Sequence, residues 1–222
     1  MTEVRLEHRR GRSWYRAVDA GSGRTWVLDR QALAGLRLLP LEPDAGLAEL
    51  TPEQLPLLDE AERATARRRA LVLLGHRARS VAELRRLLSA WPFNPEAIED
   101  AVNWAAELGY LDDRALAREM VALHLHRRTK GRRGVVAEIA QRGIAEDVAE
   151  QEVERHSPAA AEYEAALHLA RRHACTLEGL PPDKRLARLW RYLERRGFDE
   201  ETVRRAVREV LGPEASGWVE PA

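Results

Sequence analysis

Few residues of this chain have the types and spacing that catalysis requires. Asp112 and Asp113 are adjacent carboxylates that could form a metal or acid–base pair, but beside a predicted helix start such carboxylates are far more typical of helix caps. His124 and His126 are two residues apart on a predicted helix, whereas histidines that share a metal on one helix are four apart. A metal-dependent hydrolase would therefore depend on Asp112 and Asp113 alone.

The glycine-rich segment 131–134 does not match a phosphate-binding loop, because it lacks the preceding strand and the Lys-Ser/Thr pair. A Gly-x-Ser-x-Gly nucleophile motif is also absent from the sequence. Cys175 is the only cysteine, which excludes an intramolecular disulfide and a multi-cysteine zinc site. We expect no catalytic residue, no metal and no cofactor, and therefore no enzyme.

Arginine supplies most of the remaining chemistry. All but two of the 36 basic residues are arginines, the exceptions being Lys130 and Lys184. Guanidinium groups bind phosphates and carboxylates bidentately. The basic residues concentrate in the segments 63–86, 124–133 and 184–196. Taken singly, such clusters are more typical of solvated surfaces with intramolecular ion pairs than of binding sites.

The elements that carry these clusters are mostly helices. Aromatic and β-branched residues at 13–18 and 25–28 flank turn residues and predict a β-hairpin, which must pack on a neighbour because two strands alone are marginal in water. Thr51 and Pro52 then predict the start of a short helix. From about residue 59 the apolar residues recur at helical spacing almost to the end of the chain.

An internal repeat organises the helical part. Each repeat has a basic helix, a turn with a hydrophobic residue, an acidic helix start and a further helix; the hydrophobic residues are Phe93, Ile144 and Phe198, which are 51 and 54 residues apart. We predict a mainly α protein in which three-helix modules form an elongated curved array, with a small N-terminal β-hairpin region. The predicted domains are residues 1–58 for the hairpin and short-helix extension, 59–111, 112–157 and 158–212 for three modules, and 213–222 for a flexible tail.

The repeat changes the interpretation of the basic clusters. Because the first two occupy the same place in successive modules, we interpret them as contact surfaces, and the third as a solvated surface. The predicted contact residues are Arg67, Arg68, Arg77, Arg79, Arg85, Arg86, Arg127, Arg128, Lys130, Arg132 and Arg133. The aromatic side chains Phe93, Trp104, Trp190 and Phe198 could stack on bases, but their positions on apolar faces favour core packing.

The charge balance limits the kind of partner. The 222 residues include 36 acidic and 36 basic side chains, a formal net charge of zero, which excludes a histone-like polycation and favours a bipartite contact through local basic faces. No apolar run approaches the roughly 20 residues of a membrane span, and the N-terminus lacks the apolar stretch of a secretory signal. We expect a cytoplasmic monomer with no membrane partner.

The helix-boundary residues resemble, in order and spacing, those of the bacterial regulatory protein RecX family over roughly residues 60 to 211. The matching residues are Ala70–Leu74, Arg77–Ser80, Glu83-Leu84, Gly109–Asp113, Lys130-Gly131, Arg142–Ile144 and Arg195–Phe198. The resemblance implies a non-enzymatic modulator of the RecA recombinase, built from tandem three-helix modules.

The same resemblance implies partners and a process. Its members bind RecA filaments on single-stranded DNA and limit filament extension, strand exchange and coprotease activity, which would place this chain in homologous recombination, DNA repair and the SOS response. RecA and its nucleoprotein filament would be the partners, with single-stranded DNA a weak or indirect one. The alternative is a direct DNA-binding tandem helix-turn-helix regulator, because Ser80–Leu108 is predicted to hold two helices and a short turn.

Overall fold

The computed structural model describes residues 2–8, 13–36, 47–50 and 55–212 and divides the chain into two compact units, Met1–Asp112 and Asp113–Ala222. The first unit begins with four antiparallel strands, β1 (Thr2–His8), β2 (Trp14–Asp19), β3 (Thr25–Asp29) and β4 (Leu47–Leu50), in the order β3-β2-β1-β4. The predicted hairpin is confirmed as β2 and β3. It gains β1 and β4, which the sequence analysis did not predict.

Alternate side chains of strand β1 face the core: Val4 and Leu6 are buried with no exposed surface. Trp14 and Trp26 lie on the hairpin but do not face each other: Trp14 is opposite Asp29 and Trp26 is opposite Ala17. Trp14 instead lies 6.1 Å, centroid to centroid, from Trp91 in the following helical module. The sheet therefore packs on that module rather than standing alone.

The described residues of the first unit also form four helices: α1 (Arg30–Gly35), α2 (Leu55–Leu74), α3 (Val81–Leu88) and α4 (Pro95–Glu107). The Ser80 hydroxyl accepts from the Glu83 amide, and the Glu83 carboxylate accepts from the Ser80 amide, so the capping box predicted before α3 is present. Phe93 is buried between α3 and α4 in a core shared by α2, α3 and α4. The helix start predicted at Thr51 and Pro52 lies outside the described residues.

A buried carboxylate joins the sheet to this core. Glu62 of α2 is 1% exposed and accepts hydrogen bonds from the Val27 amide at 2.9 Å and from the Asn94 side-chain amide at 2.6 Å. Burial raises its pKa above the ordinary value, although the hydrogen bonds oppose that shift. The side-chain amide of Asn94 donates to Glu62 and to the Thr25 carbonyl, and the Asn94 side chain makes no capping hydrogen bond to α4.

In the second unit, the described residues 113–212 form six helices with two cores. They are α5 (Asp113–Arg127), α6 (Arg132–Gln141), α7 (Glu146–His156), α8 (Ala159–Cys175), α9 (Pro182–Arg195) and α10 (Glu200–Leu211). Ile144 is buried in the core of α5–α7 and Phe198 in that of α8–α10. Asp199 caps α10 by accepting from the Thr202 amide, as its position after Gly197 predicts.

These cores confirm the predicted fold class. The protein is mainly helical, and a small N-terminal sheet precedes the repeated three-helix modules in the sequence. Within the described residues, every helix is too short or too polar to cross a membrane. The predicted tail, residues 213–222, lies outside the described part of the chain.

Candidate nucleic-acid and protein interface

The first arginine cluster is largely occupied by intramolecular ion pairs. Arg67 donates two hydrogen bonds to Asp100 of α4, at 2.7 and 2.8 Å, and lies over the ring of Trp104. Arg68 donates two hydrogen bonds to Asp29 at the end of β3, at 2.6 and 2.7 Å. Bidentate pairs of this kind hold α2 against α4 and against the sheet. These two arginines therefore have structural partners already.

Three further arginines of this cluster lie around α3. Arg77 donates to Glu83 at 2.9 Å, and Arg79 donates to the carbonyl of Leu73 at 3.0 Å. Arg85 donates two hydrogen bonds to Glu99 of α4, and these lower the pKa of the Glu99 carboxyl.

Arg86 differs from its neighbours in this first cluster. Its side chain is exposed and pairs with no carboxylate in the described part of the chain. Of the predicted contact residues in this cluster, Arg86 is the one whose guanidinium faces solvent without such a pair.

The second cluster lies at the junction of α5 and α6, and we call residues 127–133 the basic loop. Arg127, Arg128 and Arg133 are exposed, and none forms an ion pair with another described residue. Lys130 pairs with Glu138, and Arg132 pairs with Glu154. The basic loop thus presents three guanidinium groups without a contact ion pair among the described residues, although Arg133 also attracts the carboxylates of Glu162 and Asp199 at longer range.

Backbone hydrogen bonds from Gly131 and Gly134 to the turn at residues 196–197 hold the basic loop in place. The Gly131 amide donates to the Arg196 carbonyl at 3.0 Å, and the Gly134 amide donates to the Gly197 carbonyl at 3.4 Å. Arg196 returns a hydrogen bond to the Thr129 carbonyl at 3.0 Å. A Cβ atom at Gly131 would lie 2.5 Å from the backbone of Phe198, so only glycine allows this approach. The glycine-rich segment is therefore a packing element of the second unit.

Side chains tie the rest of the basic loop to α6. The His124 ring lies 3.2 Å from the Glu138 carboxylate through Nε2 and 2.9 Å from the Thr129 hydroxyl through Nδ1. Burial opposes the charge of Glu138, but the Lys130 hydrogen bond and the nearby positive charges outweigh it and lower its pKa.

A second carboxylate, Glu162 of α8, lies at the start of α6. It accepts from the Arg132 amide at 2.9 Å, where the helix dipole favours a negative group. Burial raises the pKa of Glu162. These contacts fix both ends of the basic loop, and Arg127, Arg128 and Arg133 remain exposed.

Arg128 has a backbone conformation that arginine rarely adopts. Its φ angle is +49°, the one positive φ recorded for a non-glycine residue in the described part of the chain. The left-handed region costs a residue with a Cβ about 1 kcal/mol. A side chain kept at this cost points to a role outside the fold.

Replacing Arg128 by glycine should therefore stabilise the protein. We expect the free energy of unfolding to rise by about 0.5 kcal/mol, because the Cβ clash is relieved but the unfolded chain gains freedom. Urea denaturation measures the change. Arg127→Gly is the matched variant: Arg127 is the last residue of α5, so glycine there should lower stability. If Arg128→Gly lowered the free energy of unfolding as much as Arg127→Gly does, the backbone at Arg128 would not be strained.

The third cluster lies on α9. Lys184, Arg188, Arg191 and Arg195 share one face by their spacing, are exposed, and form no ion pair among the described residues. The structure thus leaves this solvated face less neutralised than the first cluster.

The aromatic side chains occupy the positions that the sequence analysis favoured. Phe93, Trp190 and Phe198 are buried in the cores, and Trp104 is half-buried beneath Arg67. Asp113 begins α5. Within the described residues no three histidine, cysteine or acidic side chains are grouped closely enough to hold a metal ion.

A fourth basic cluster, which was not predicted from the sequence, lies around Glu152 between α5 and α7. This glutamate is 1% exposed, and Arg114, Arg118, Arg155 and His156 all lie within 3.7 Å of its carboxylate oxygens. The four-residue spacing of Arg114 and Arg118 on one helix was the available signal.

The fold and the basic surfaces together define a class: proteins made of repeated three-helix modules without an evident reaction centre in the described residues. Comparison with known protein families identifies the family within this class. The pattern described as the first three-helix domain of RecX matches residues 66–104, and that of the third three-helix domain matches residues 160–207. Regulatory protein RecX of Chlorobaculum tepidum is 32% identical over 159 residues, which is 72% of this chain and 96% of that protein. This chain belongs to the RecX family of regulatory proteins.

Other relatives and solved structures agree. Regulatory protein RecX of Thermobifida fusca is 35% identical over 68% of this chain and 81% of its own length. A crystal structure of regulatory protein RecX superposes with a TM-score of 0.63 at 20% identity, covering 95% of this chain and 98% of that one. RecX from Lactobacillus salivarius gives 0.60 at 18% identity over 67% of this chain and 96% of its own. These structures support the fold.

Proposed function

We propose that this chain is a cytoplasmic monomer that binds RecA and its filaments on single-stranded DNA and inhibits filament extension, strand exchange and coprotease activity. In this role it modulates homologous recombination, DNA repair and the SOS response. The basic loop makes the main contact, through Arg127, Arg128 and Arg133, and Arg86 of α3 adds a second one. Family membership and the unpaired arginines of the basic loop support the proposal.

The pairing of the arginines selects among the residues of the first two clusters, which occupy the same place in successive modules. A guanidinium that already donates two hydrogen bonds to its own carboxylate must lose them before it can bind a partner, and that loss offsets the gain. Arg67, Arg68 and Arg85 are in that position. An exposed guanidinium held near a fixed backbone meets no such cost, and it suits phosphate or an acidic protein groove.

The zero net charge of the chain favours a partner that contains both nucleic acid and protein. A protein with no net charge gains little from long-range attraction to DNA alone. A filament offers phosphate and protein surfaces side by side, so local basic faces and acidic helices can both find partners on it. Binding across neighbouring subunits would block addition of the next subunit.

Inhibition of the RecA ATPase on single-stranded DNA tests the proposal. Replacing Arg127, Arg128 and Arg133 by alanine should raise the concentration needed for half-inhibition about tenfold or more, because three charged contacts are lost. Circular dichroism should show unchanged helical content, since these side chains make no ion pair among the described residues.

The matched variant removes the same charge from α9, by replacing Arg188, Arg191 and Arg195 with alanine. It should inhibit like the wild type. The proposal fails if the wild type neither inhibits nor cosediments with filaments. The assignment to the basic loop fails if both triple variants lose the same potency.

The helix-turn-helix alternative ranks second for a structural reason. In such a motif the second helix enters the major groove, and the corresponding helix here is α4. It carries four acidic residues and no basic residue, so phosphates would repel it. Footprinting without RecA distinguishes the two: a protected sequence with site preference would favour the alternative.

A further inference from the structure

The cluster around Glu152 has more positive charge than the fold needs. Arg114 and Arg118 of α5 lie 3.6 and 3.7 Å from the two carboxylate oxygens. Arg155 and His156 of α7 lie 3.4 Å from them. One carboxylate neutralises one guanidinium, so two of the three arginine charges remain.

The surplus charge faces solvent. The side chains of Arg114, Arg118 and Arg155 are 44%, 55% and 57% exposed, although the carboxylate on which they converge is buried. Their contacts to Glu152 are longer than those of the bidentate pairs in the first unit, so most of their N–H groups are free to turn outward. Gln151 accepts one further hydrogen bond, from Arg114 at 2.8 Å.

The acidic residues near the cluster lie mostly away from Glu152, although Glu146, Glu150 and Glu154 of α7 line one surface pocket with Arg155. By helical spacing, Glu150 and Glu154 lie on the other side of α7 from Glu152, and Glu154 pairs with Arg132. Glu119 likewise lies off the face of α5 that Arg114 and Arg118 share. The cluster is thus a compact group of cations anchored on two helices by a common buried anion.

We propose that Arg114, Arg118, Arg155 and His156 form a phosphate-binding site for a single-stranded nucleic-acid backbone, with Glu152 as the residue that positions them. Glu152 gathers the side chains in advance, so less side-chain entropy is lost when phosphate binds. Arg114 and Arg118 are one helical turn apart, about 6 Å along α5, which lets them contact separate phosphates. The site goes beyond the filament proposal, because it requires nucleic acid but not RecA.

A nucleic-acid backbone fits this surface better than an acidic protein does. Protein interfaces are centred on apolar and aromatic side chains, whereas nucleic-acid interfaces are polar and strongly positive. Leu123, the exposed large apolar residue of α5, lies on the opposite side of the helix from Arg114 by its spacing. The site itself offers guanidinium and imidazole groups.

Fluorescence anisotropy of a labelled oligothymidylate, with the full chain and without RecA, tests the site. Removing arginines alone would leave Glu152 buried without its partners, so the variants are built on Glu152→Gln. That single variant keeps an acceptor oxygen for the arginines but lacks the negative charge, and its affinity is the reference for the further changes. Adding Arg114→Gln and Arg118→Gln should weaken binding about tenfold and reduce the slope of log K against log salt by about 1.4, for two phosphate contacts.

The matched variant is Arg172→Gln with Arg208→Gln in the same Glu152→Gln background. Both arginines are exposed in the second unit and form no ion pair among the described residues. This variant should keep its affinity and salt slope. The site is disproved if the oligothymidylate does not bind the wild type, if both sets of variants lose affinity equally, or if the Arg114 and Arg118 changes affect binding of polyglutamate but not of the oligothymidylate. Normal RecA inhibition by the same variants would separate this site from the basic loop.

Discussion

Gly131→Ala should destabilise the second unit by about 3 kcal/mol. The added Cβ would lie 2.5 Å from the Phe198 backbone, and neither the start of α6 nor the turn before α10 can yield without breaking the hydrogen bond from Gly131 to Arg196. Phe198 is buried in the core of α8–α10, so a shift there disturbs packing as well. Urea denaturation followed by circular dichroism measures the loss.

Gly35→Ala is the matched change, since Gly35 ends α1 and a Cβ there would meet nothing within 4 Å. It should leave stability unchanged or raise it slightly. Hydrogen exchange should show the Gly131→Ala loss in α6 and at the Arg196–Phe198 turn. A Gly131→Ala protein as stable as the wild type would mean that the close glycine contact does not exist in solution.

Glu62→Leu should destabilise the first unit by about 2 kcal/mol. The substitution leaves the Val27 amide and both amides of Asn94 without their acceptor in a buried place. Removing a buried charge offsets part of this cost, which keeps the loss moderate. Because Glu62 joins the sheet to α2 and α4, the tryptophan fluorescence of Trp14 and Trp91 should change with it.

Glu62→Gln removes the titratable group but keeps the shape of the side chain, so comparing its stability with that of the wild type shows how the Glu62 carboxyl makes stability depend on pH. Burial raises the pKa of Glu62 above 4.5, so the folded protein binds this proton more tightly than the unfolded chain does. Lowering the pH from 7 towards 4.5 should therefore stabilise the wild type relative to Glu62→Gln, and the advantage disappears again as the pH rises through the raised pKa. A stability difference between the two proteins that is constant over this range would show that Glu62 is not held in a buried place.

The helices could be predicted from the sequence where short motifs mark their ends. The capping box at Ser80, the glycine stops and the hydrophobic residues Phe93, Ile144 and Phe198 are short-range features, and helices depend on such features. The strand β1 was missed because Val4 and Leu6 make only a brief alternation, and β4 is four residues long. Strands of this kind depend on a partner distant in sequence.

The candidate site was less predictable for the same reason. The sequence shows where arginines are dense, but the pairing of Arg67 with Asp100, or of Arg68 with Asp29, joins residues more than 30 positions apart. The glycine contact at Gly131 and the convergence on Glu152 also require the fold. The density of charge therefore predicted a contact at the basic loop, which stays a prediction, and only the structure distinguishes the arginines that form ion pairs from those that do not.

Photo-crosslinking from the basic loop tests the central claim most directly. His126 is exposed and adjacent to Arg127, so His126→Cys in a Cys175→Ser background places a benzophenone beside the proposed contact without removing an arginine. The same label at Glu178, an exposed turn residue after α8, serves for comparison. We expect the label at position 126 to crosslink to RecA or to DNA in assembled filaments far more than the label at 178. Equal yields from the two positions, or no crosslink from position 126, would contradict the assignment of the basic loop as the filament contact.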